Sequence, residues 1–122
     1  MKSAPVAIAI QAGDSAGLAA LVDPRFGRAA AFVITDLDGT TVTVVENDHV
    51  DAPHGAGTGA AGLLIQHGVG AVIANQFGPK ALQALQAAAV SLWIAPAGIT
   101  AAEALRRYNE GELQPMVMSE FR

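Results

Sequence analysis

Gly70-Ala-Val-Ile-Ala-Asn-Gln-Phe-Gly-Pro-Lys-Ala-Leu-Gln-Ala-Leu-Gln-Ala-Ala-Ala-Val-Ser-Leu-Trp-Ile-Ala95 decides the fold. Gly70 to Asn75 is a short apolar run of strand length. Gly78-Pro79 then opens a helix that carries Ala81, Leu82, Leu85 and Ala88 at helical spacing. Pro suits the first helical turn, where its missing N–H leaves nothing unpaired. Val90 to Ala95 is a second apolar run. Strand, helix and strand in succession imply a parallel crossover with the helix lying on the sheet.

Working outward, Thr58 to His67 reads as a preceding helix with Gly68 as its stop. After the second strand, Thr100 and Glu103 have capping-box spacing, and a last helix runs to about Asn109 with Gly111 closing it. Towards the N-terminus, Val6-Ala7-Ile8-Ala9-Ile10 is too short for a secretory h-region with proper flanks and reads as a buried strand. Ala12 to Arg28 lacks a clean period and reads as mostly loop. Ala31 to Thr35 and Thr41 to Val45 flank Asp38-Gly39, a hairpin signal, so these two strands pair antiparallel. The order β-β-β-α-β-α-β-α predicts an α/β fold with a mixed sheet of about five strands.

The chain has 122 residues, enough for one domain spanning 1–122, and 52% of them are hydrophobic against 15% charged. That balance supports a core and argues against disorder. A net charge of −4 argues against general nucleic-acid binding. No run approaches the roughly 18–20 apolar residues of a membrane span. Cys is absent, so disulfides and thiolate-held iron–sulfur clusters are excluded. A reducing cytoplasm is the expected compartment.

Several segments bear on chemistry. Gly57-Thr58-Gly59-Ala60-Ala61-Gly62 spells the dinucleotide fingerprint, but loop precedes it and no acidic residue follows at the required distance. What remains is a helix start whose backbone N–H groups and dipole suit an anion. Asn75 to Lys80 presents a second such start at the end of a parallel strand, with Lys80 adding a cation. Arg25 and Arg28 place two guanidinium groups in one loop of a chain with only seven Lys and Arg. Arg pairs suit multivalent anions, although Asp23 or Asp36 could simply pair with them. His49 and His54 share a loop without the partners of a closed zinc site, and His54 adjoins the Gly-rich helix start. His67 reads as structural. Met116 and Met118 are soft donors in a tail that reads as packed or frayed. Ser15, Ser91 and Ser119 lack a nucleophile-elbow setting, and the Asp residues gather at turns, so hydrolysis has little support.

Arg25-Phe26-Gly27-Arg28-Ala29, His54-Gly55-Ala56-Gly57 and Phe77-Gly78-Pro79-Lys80-Ala81 resemble, in this order, the dinitrogenase iron–molybdenum cofactor biosynthesis family. The ending Ala104-Leu105 to Tyr108, then Gly111-Glu112-Leu113, is similar too. The resemblance implies a ribonuclease-H-like three-layer α/β/α fold with sheet order 3-2-1-4-5 and strand two antiparallel. It also implies noncovalent carriage of a molybdenum-containing metal–sulfur cluster rather than enzymatic turnover. Small stand-alone members of that family include one that holds a molybdenum–copper sulfide cluster, and others carry iron–molybdenum cofactor precursors. Lack of Cys favours the molybdenum–copper cargo. The residues so implicated are Arg25, Phe26, Gly27, Arg28, His54, Gly55, Gly57, Gly78, Pro79 and Lys80. Asn75 joins them by its place at the strand end, and His54 is the one expected metal contact. Donor and acceptor proteins would be the partners. The alternative is a small protein–protein interaction or regulatory module without metal.

Overall fold

Val6–Ile10 forms β1, and every one of its five residues is buried, as expected of a strand covered on both faces. The computed structural model describes residues 4–11, 14–47 and 56–116. Beside β1 run β2 (Ala31–Thr35) and β3 (Val42–Glu46), then α1 (Ala56–Gln66), β4 (Ala71–Ala74), α2 (Pro79–Ala87), β5 (Ser91–Ile94), α3 (Ala101–Asn109) and β6 (Gln114–Pro115). The sheet order is β3-β2-β1-β4-β5-β6. β4 runs parallel to both its neighbours, β1 and β5, while β2 is antiparallel to both β1 and β3.

The expected strand order therefore holds, with one correction: the sheet has six strands, not five. β6 pairs antiparallel with β5 through Trp93–Pro115 and Ile94–Gln114. Gln114-Pro115 carries no β-branched or alternating pattern. Its strand geometry is imposed by the open edge of β5, where Met116 N–H also donates to the Leu92 carbonyl at 2.9 Å. A second correction concerns the segment read as loop: Asp14–Ala19 forms a short 3-10 segment, kinked at Gly17.

Side-chain alternation divides the core into two layers. Ala7, Ala9, Phe32, Ile34, Val72 and Ala74 pack with Ala60, Ala61 and Leu64 of α1 and with Ala81, Leu82 and Leu85 of α2. Val6, Ile8, Ile10, Val33 and Ile73 face Ala101, Ala104 and Leu105 of α3. Ala on both β1 and α1 lets the helix approach the sheet closely. The three helices end alike. In each, the third residue beyond the helix donates to the third-last carbonyl and the second residue beyond it to the second-last: Gly68 to Ile65 and Val69 to Leu64, Ala89 to Gln86 and Val90 to Leu85, Gly111 to Tyr108 and Glu112 to Arg107. This closure requires positive φ at its turning residue, found at 73° in Gly68, 63° in Ala89 and 74° in Gly111.

The hairpin turn between β2 and β3 is held by Asp36. Its carboxylate accepts from Thr40 N–H at 2.9 Å and Thr40 Oγ1 at 2.6 Å. At the start of α3, Thr100 Oγ1 accepts from Glu103 N–H at 3.1 Å, as the capping-box spacing predicts.

Candidate functional site

At its carboxyl end β1 outruns β4. The paired register with β4 stops at Ile8–Ile73, and Ile10 bridges to Val22 instead. From there the chain turns back towards β2. Asp23, 6% exposed, accepts Arg25 N–H on Oδ1 at 2.8 Å, closing a turn around Pro24. The turn leaves Arg25 exposed and drives Phe26 into the core, where it is 1% exposed. The Phe26 ring lies 5.3 Å from both Phe32 and Phe77, tilted to each, in the range of favourable aromatic pairs. Three of the chain's four Phe residues thus meet under one loop.

Phe26 N–H donates to the Gln76 carbonyl at 3.0 Å, tying this loop to the connection between β4 and α2. On the other side Asn47, just past β3, donates from Nδ2 to the carbonyls of Gly27 at 3.1 Å and Ala29 at 2.9 Å. Asn75 sends its own amide to the Ala95 carbonyl at 2.9 Å, which joins the ends of β4 and β5. Gly78 caps α2 with extended backbone and no side-chain cap. Leu82 N–H makes the first bond of α2, to the Gly78 carbonyl. The N–H groups of Lys80 and Ala81 therefore have no acceptor within the helix, and Pro79 has no N–H at all.

Between the two tied segments lies a depression of about 350 Å³, lined by Arg25 to Arg28 on one side and Gln76 to Gly78 on the other. Among the described residues its lining contains two guanidinium groups and no carboxylate, on a chain of net charge −4. A larger depression of about 540 Å³ occupies the opposite edge of the sheet, around Pro5, Thr35, Asp36, Asp38 and Thr43. It has the wrong sign for an anion. The Asp36 carboxyl is held below the usual carboxylate range, foremost by the Thr40 hydroxyl, and stays ionised in its turn.

Of the residues expected at the site, Arg25, Phe26, Gly27, Arg28 and Gly78 come together in the smaller depression. Asn75 stands next to it and serves as a strand tie. Lys80 is exposed in the first turn of α2 and outside the lining. Gly57 lies in the first turn of α1. His54 and Gly55 lie outside the described residues, as do His49 and Met118. Met116 packs half-buried on the α1–α2 side of the core. Among the described residues no three His, Asp or Glu side chains converge to hold a metal ion. Gln76 and Asn47 belong to the site without standing out in the sequence, and Phe77 stands out only as part of the Phe77–Ala81 motif. Phe77 and Gln76 sit in the very segment that marks the second helix start, whereas Asn47 reads as the first residue of a loop.

The family model described as "Dinitrogenase iron-molybdenum cofactor" matches residues 5–111. The chain belongs to this family. Among solved structures, the apo form of the orange protein from Desulfovibrio gigas superposes with a TM-score of 0.86 at 35% identity, covering 94% of each chain. A putative NifB protein from Thermotoga superposes with a TM-score of 0.77 at 38% identity, covering 92% of each. An uncharacterised protein of Methanocaldococcus jannaschii is 28% identical over 96 residues, which are 76% of this chain and 80% of that one. The family match spans both sides of the depression.

Proposed function

We propose that the chain carries an anionic molybdenum-containing metal–sulfur cluster, bound without covalent attachment in the depression between Arg25–Arg28 and Gln76–Gly78. Two guanidinium groups above an aromatic floor, in a member of the iron–molybdenum cofactor family, are the observation that supports this reading most. A sulfide-rich anion is large, polarisable and less strongly hydrated than an oxyanion of equal charge. Guanidinium is itself weakly hydrated and planar, so it meets such an anion at lower desolvation cost than an ammonium group would. Phe26 and Phe77 exclude water beneath it, and Gly27 and Gly78 keep side chains from blocking backbone approach. The start of α2 adds the positive end of a helix dipole. With no Cys in the chain, the cluster arrives preassembled and leaves intact. His54 is the residue we assign to touch the metal, and donor and acceptor proteins complete the carrier's cycle.

A molybdenum–copper sulfide cluster is the preferred cargo, with an iron–molybdenum cofactor precursor second. The test is a visible-absorption titration of purified protein with tetrathiomolybdate and copper(I), followed by gel filtration and metal analysis. Molybdenum and copper co-eluting with the protein in fixed ratio, with a new charge-transfer band, is the expected result. Retention of an iron–molybdenum precursor alone would keep the carrier and change the cargo. Retention of neither would leave a small interaction module as the better reading.

A further inference from the structure

The two edges of the sheet are finished differently. β6 closes one edge with only two residues, one of them Pro115, which has no N–H to offer a further strand. β3 forms the other edge with five residues in unbroken register against β2, from Val42–Thr35 to Glu46–Ala31. Asn47 N–H donates to the Ala30 carbonyl and Asp36 N–H to the Thr41 carbonyl, so the odd-numbered positions of β3 are the ones bonded to β2. Thr43 and Val45 therefore direct their backbone groups at β2, while Val42, Val44 and Glu46 aim theirs outward. Among the described residues nothing pairs with that outer side. Sheet edges are ordinarily blunted by Pro, Lys, a bulge or shortness. β3 has none of the four, and Val42 to Val45 are all β-branched.

Charge decides what such an edge accepts. From Ala31 to Asn47 the chain carries Asp36, Asp38 and Glu46 and no Lys or Arg. The ion pairs among the described residues all fall on Glu103, Glu110 and Glu112, and none uses those three carboxylates. A second copy paired antiparallel about Val44 would set the Asp36–Asp38 turn of each copy beside the Glu46 end of the other, like charge against like. A basic strand meets the opposite situation. Ile34, Asp36, Thr41 and Thr43 share one face of the sheet and, with Pro5, Leu37 and Asp38, line the depression of about 540 Å³. Thr41 and Thr43 are short and exposed, so a long side chain standing beside Thr43 on an added strand can lie across them. Its aliphatic stem would run towards Ile34 and Leu37 while its charge reaches Asp36 and Asp38.

We propose that the outer edge of β3 docks an extended, Lys- or Arg-bearing segment of a partner protein, held by backbone hydrogen bonds to Val42, Val44 and Glu46 and by cationic side chains at Asp36, Asp38 and Glu46. Such docking goes beyond cluster carriage and does not require it. The probe is a capped peptide of about eight residues alternating Lys with Val or Thr, long enough to span β3. It is titrated into the isotope-labelled full chain and followed by amide NMR shifts and hydrogen exchange. Expected are saturable shifts and slowed exchange at the amides of Val42, Val44 and Glu46, with those of Thr43 and Val45 protected before and after. That alternation marks an added strand, whereas diffuse attraction to the carboxylates would move neighbouring amides alike. Replacing the peptide's Lys by Glu should abolish binding. N-methylating its amides should abolish binding when one alternating set is blocked and spare it when the other is. Asp38→Asn combined with Glu46→Gln should weaken binding by about threefold to tenfold, the scale of two exposed ion pairs. Val44→Pro removes one outward N–H without touching the β2 ladder and should lower affinity while the amides of β1 and β4 keep their protection. If Val44→Pro does not fold, the N-methylated peptides make the same test. Shifts without the alternation, equal binding of the Glu peptide, or no binding would overturn the proposal. So would a dimer in sedimentation that protects Val42, Val44 and Glu46 without peptide, since the occupant would then be a second copy.

Discussion

Close approach decides single residues most sharply at Gly70. A Cβ placed there would lie 2.6 Å from the Cβ of Ala4, closer than two carbon atoms can come without something moving. The backbone cannot retreat freely, because Gly70 N–H donates to the Pro5 carbonyl at 2.9 Å and its own carbonyl accepts from Ser91 N–H at 3.0 Å. Gly70 thus ties the entrance of β4 to those of β1 and β5. Gly70→Ala should destabilise by about 1–3 kcal/mol, the scale of overpacking. Ala4→Gly removes the clashing atom, since the Ala4 Cα lies at an ordinary 3.8 Å. The double variant should recover most of the loss in urea denaturation. Purely additive effects of the two substitutions would show that the contact is not the cause.

Helix ends carry the clearest predictions for elements. Two of the three terminal turns use Gly at the position of positive φ, and α2 uses Ala89, where a Cβ is strained. Ala89 is exposed, so nothing is lost by trimming it. Ala89→Gly should stabilise the chain by about 1 kcal/mol, read as a higher denaturation midpoint with an unchanged slope. At α3, Glu103 accepts from Arg106 at 2.7 and 2.9 Å and from Arg107 at 2.7 Å. Those bonds, Arg106 first, lower its carboxyl from 4.5 to about 2. A depressed carboxylate stabilises the fold above its unfolded value and loses that effect as pH falls through the folded one. The stability gap between wild type and Glu103→Gln should therefore be present at neutral pH and close between about 4.5 and 2. The pairs are solvent-exposed, so the gap is small and shrinks with salt. Elements of this kind were legible in the sequence because their causes are local: Gly68 and Gly111 as stops, Pro79 as a start, Thr100 and Glu103 as a cap. β6 and the 3-10 segment were not, since β6 takes its form from the edge of β5 and the segment from packing Leu18 against the α3 side of the core.

For the whole molecule the question is how an acidic chain could retain an anion. A charge of −4 repels one at long range, so attraction must be local, and the Debye length of about 10 Å at 0.1 M salt makes that possible. The sequence displayed both halves of the spot, the Arg25–Arg28 loop and the Phe77–Gly78 helix start, because each has its own composition. It did not display what joins them: the Phe26–Gln76 hydrogen bond, the shared aromatic floor and Asn47 all arise from pairing between distant segments. The same joining links cargo to stability, since both walls exist only in the folded state. A cluster held there at a hundredfold excess over its Kd adds about 2.7 kcal/mol. For a domain of this size that raises Tm by roughly 10 °C. Differential scanning calorimetry with tetrathiomolybdate and copper(I) should show this rise, and Arg25→Ala should diminish it. Molybdate has the same charge as tetrathiomolybdate but binds water more tightly, so it should produce little shift. Equal shifts from the two anions would mean that the depression reads charge alone, and the aromatic floor would lose its part in the argument.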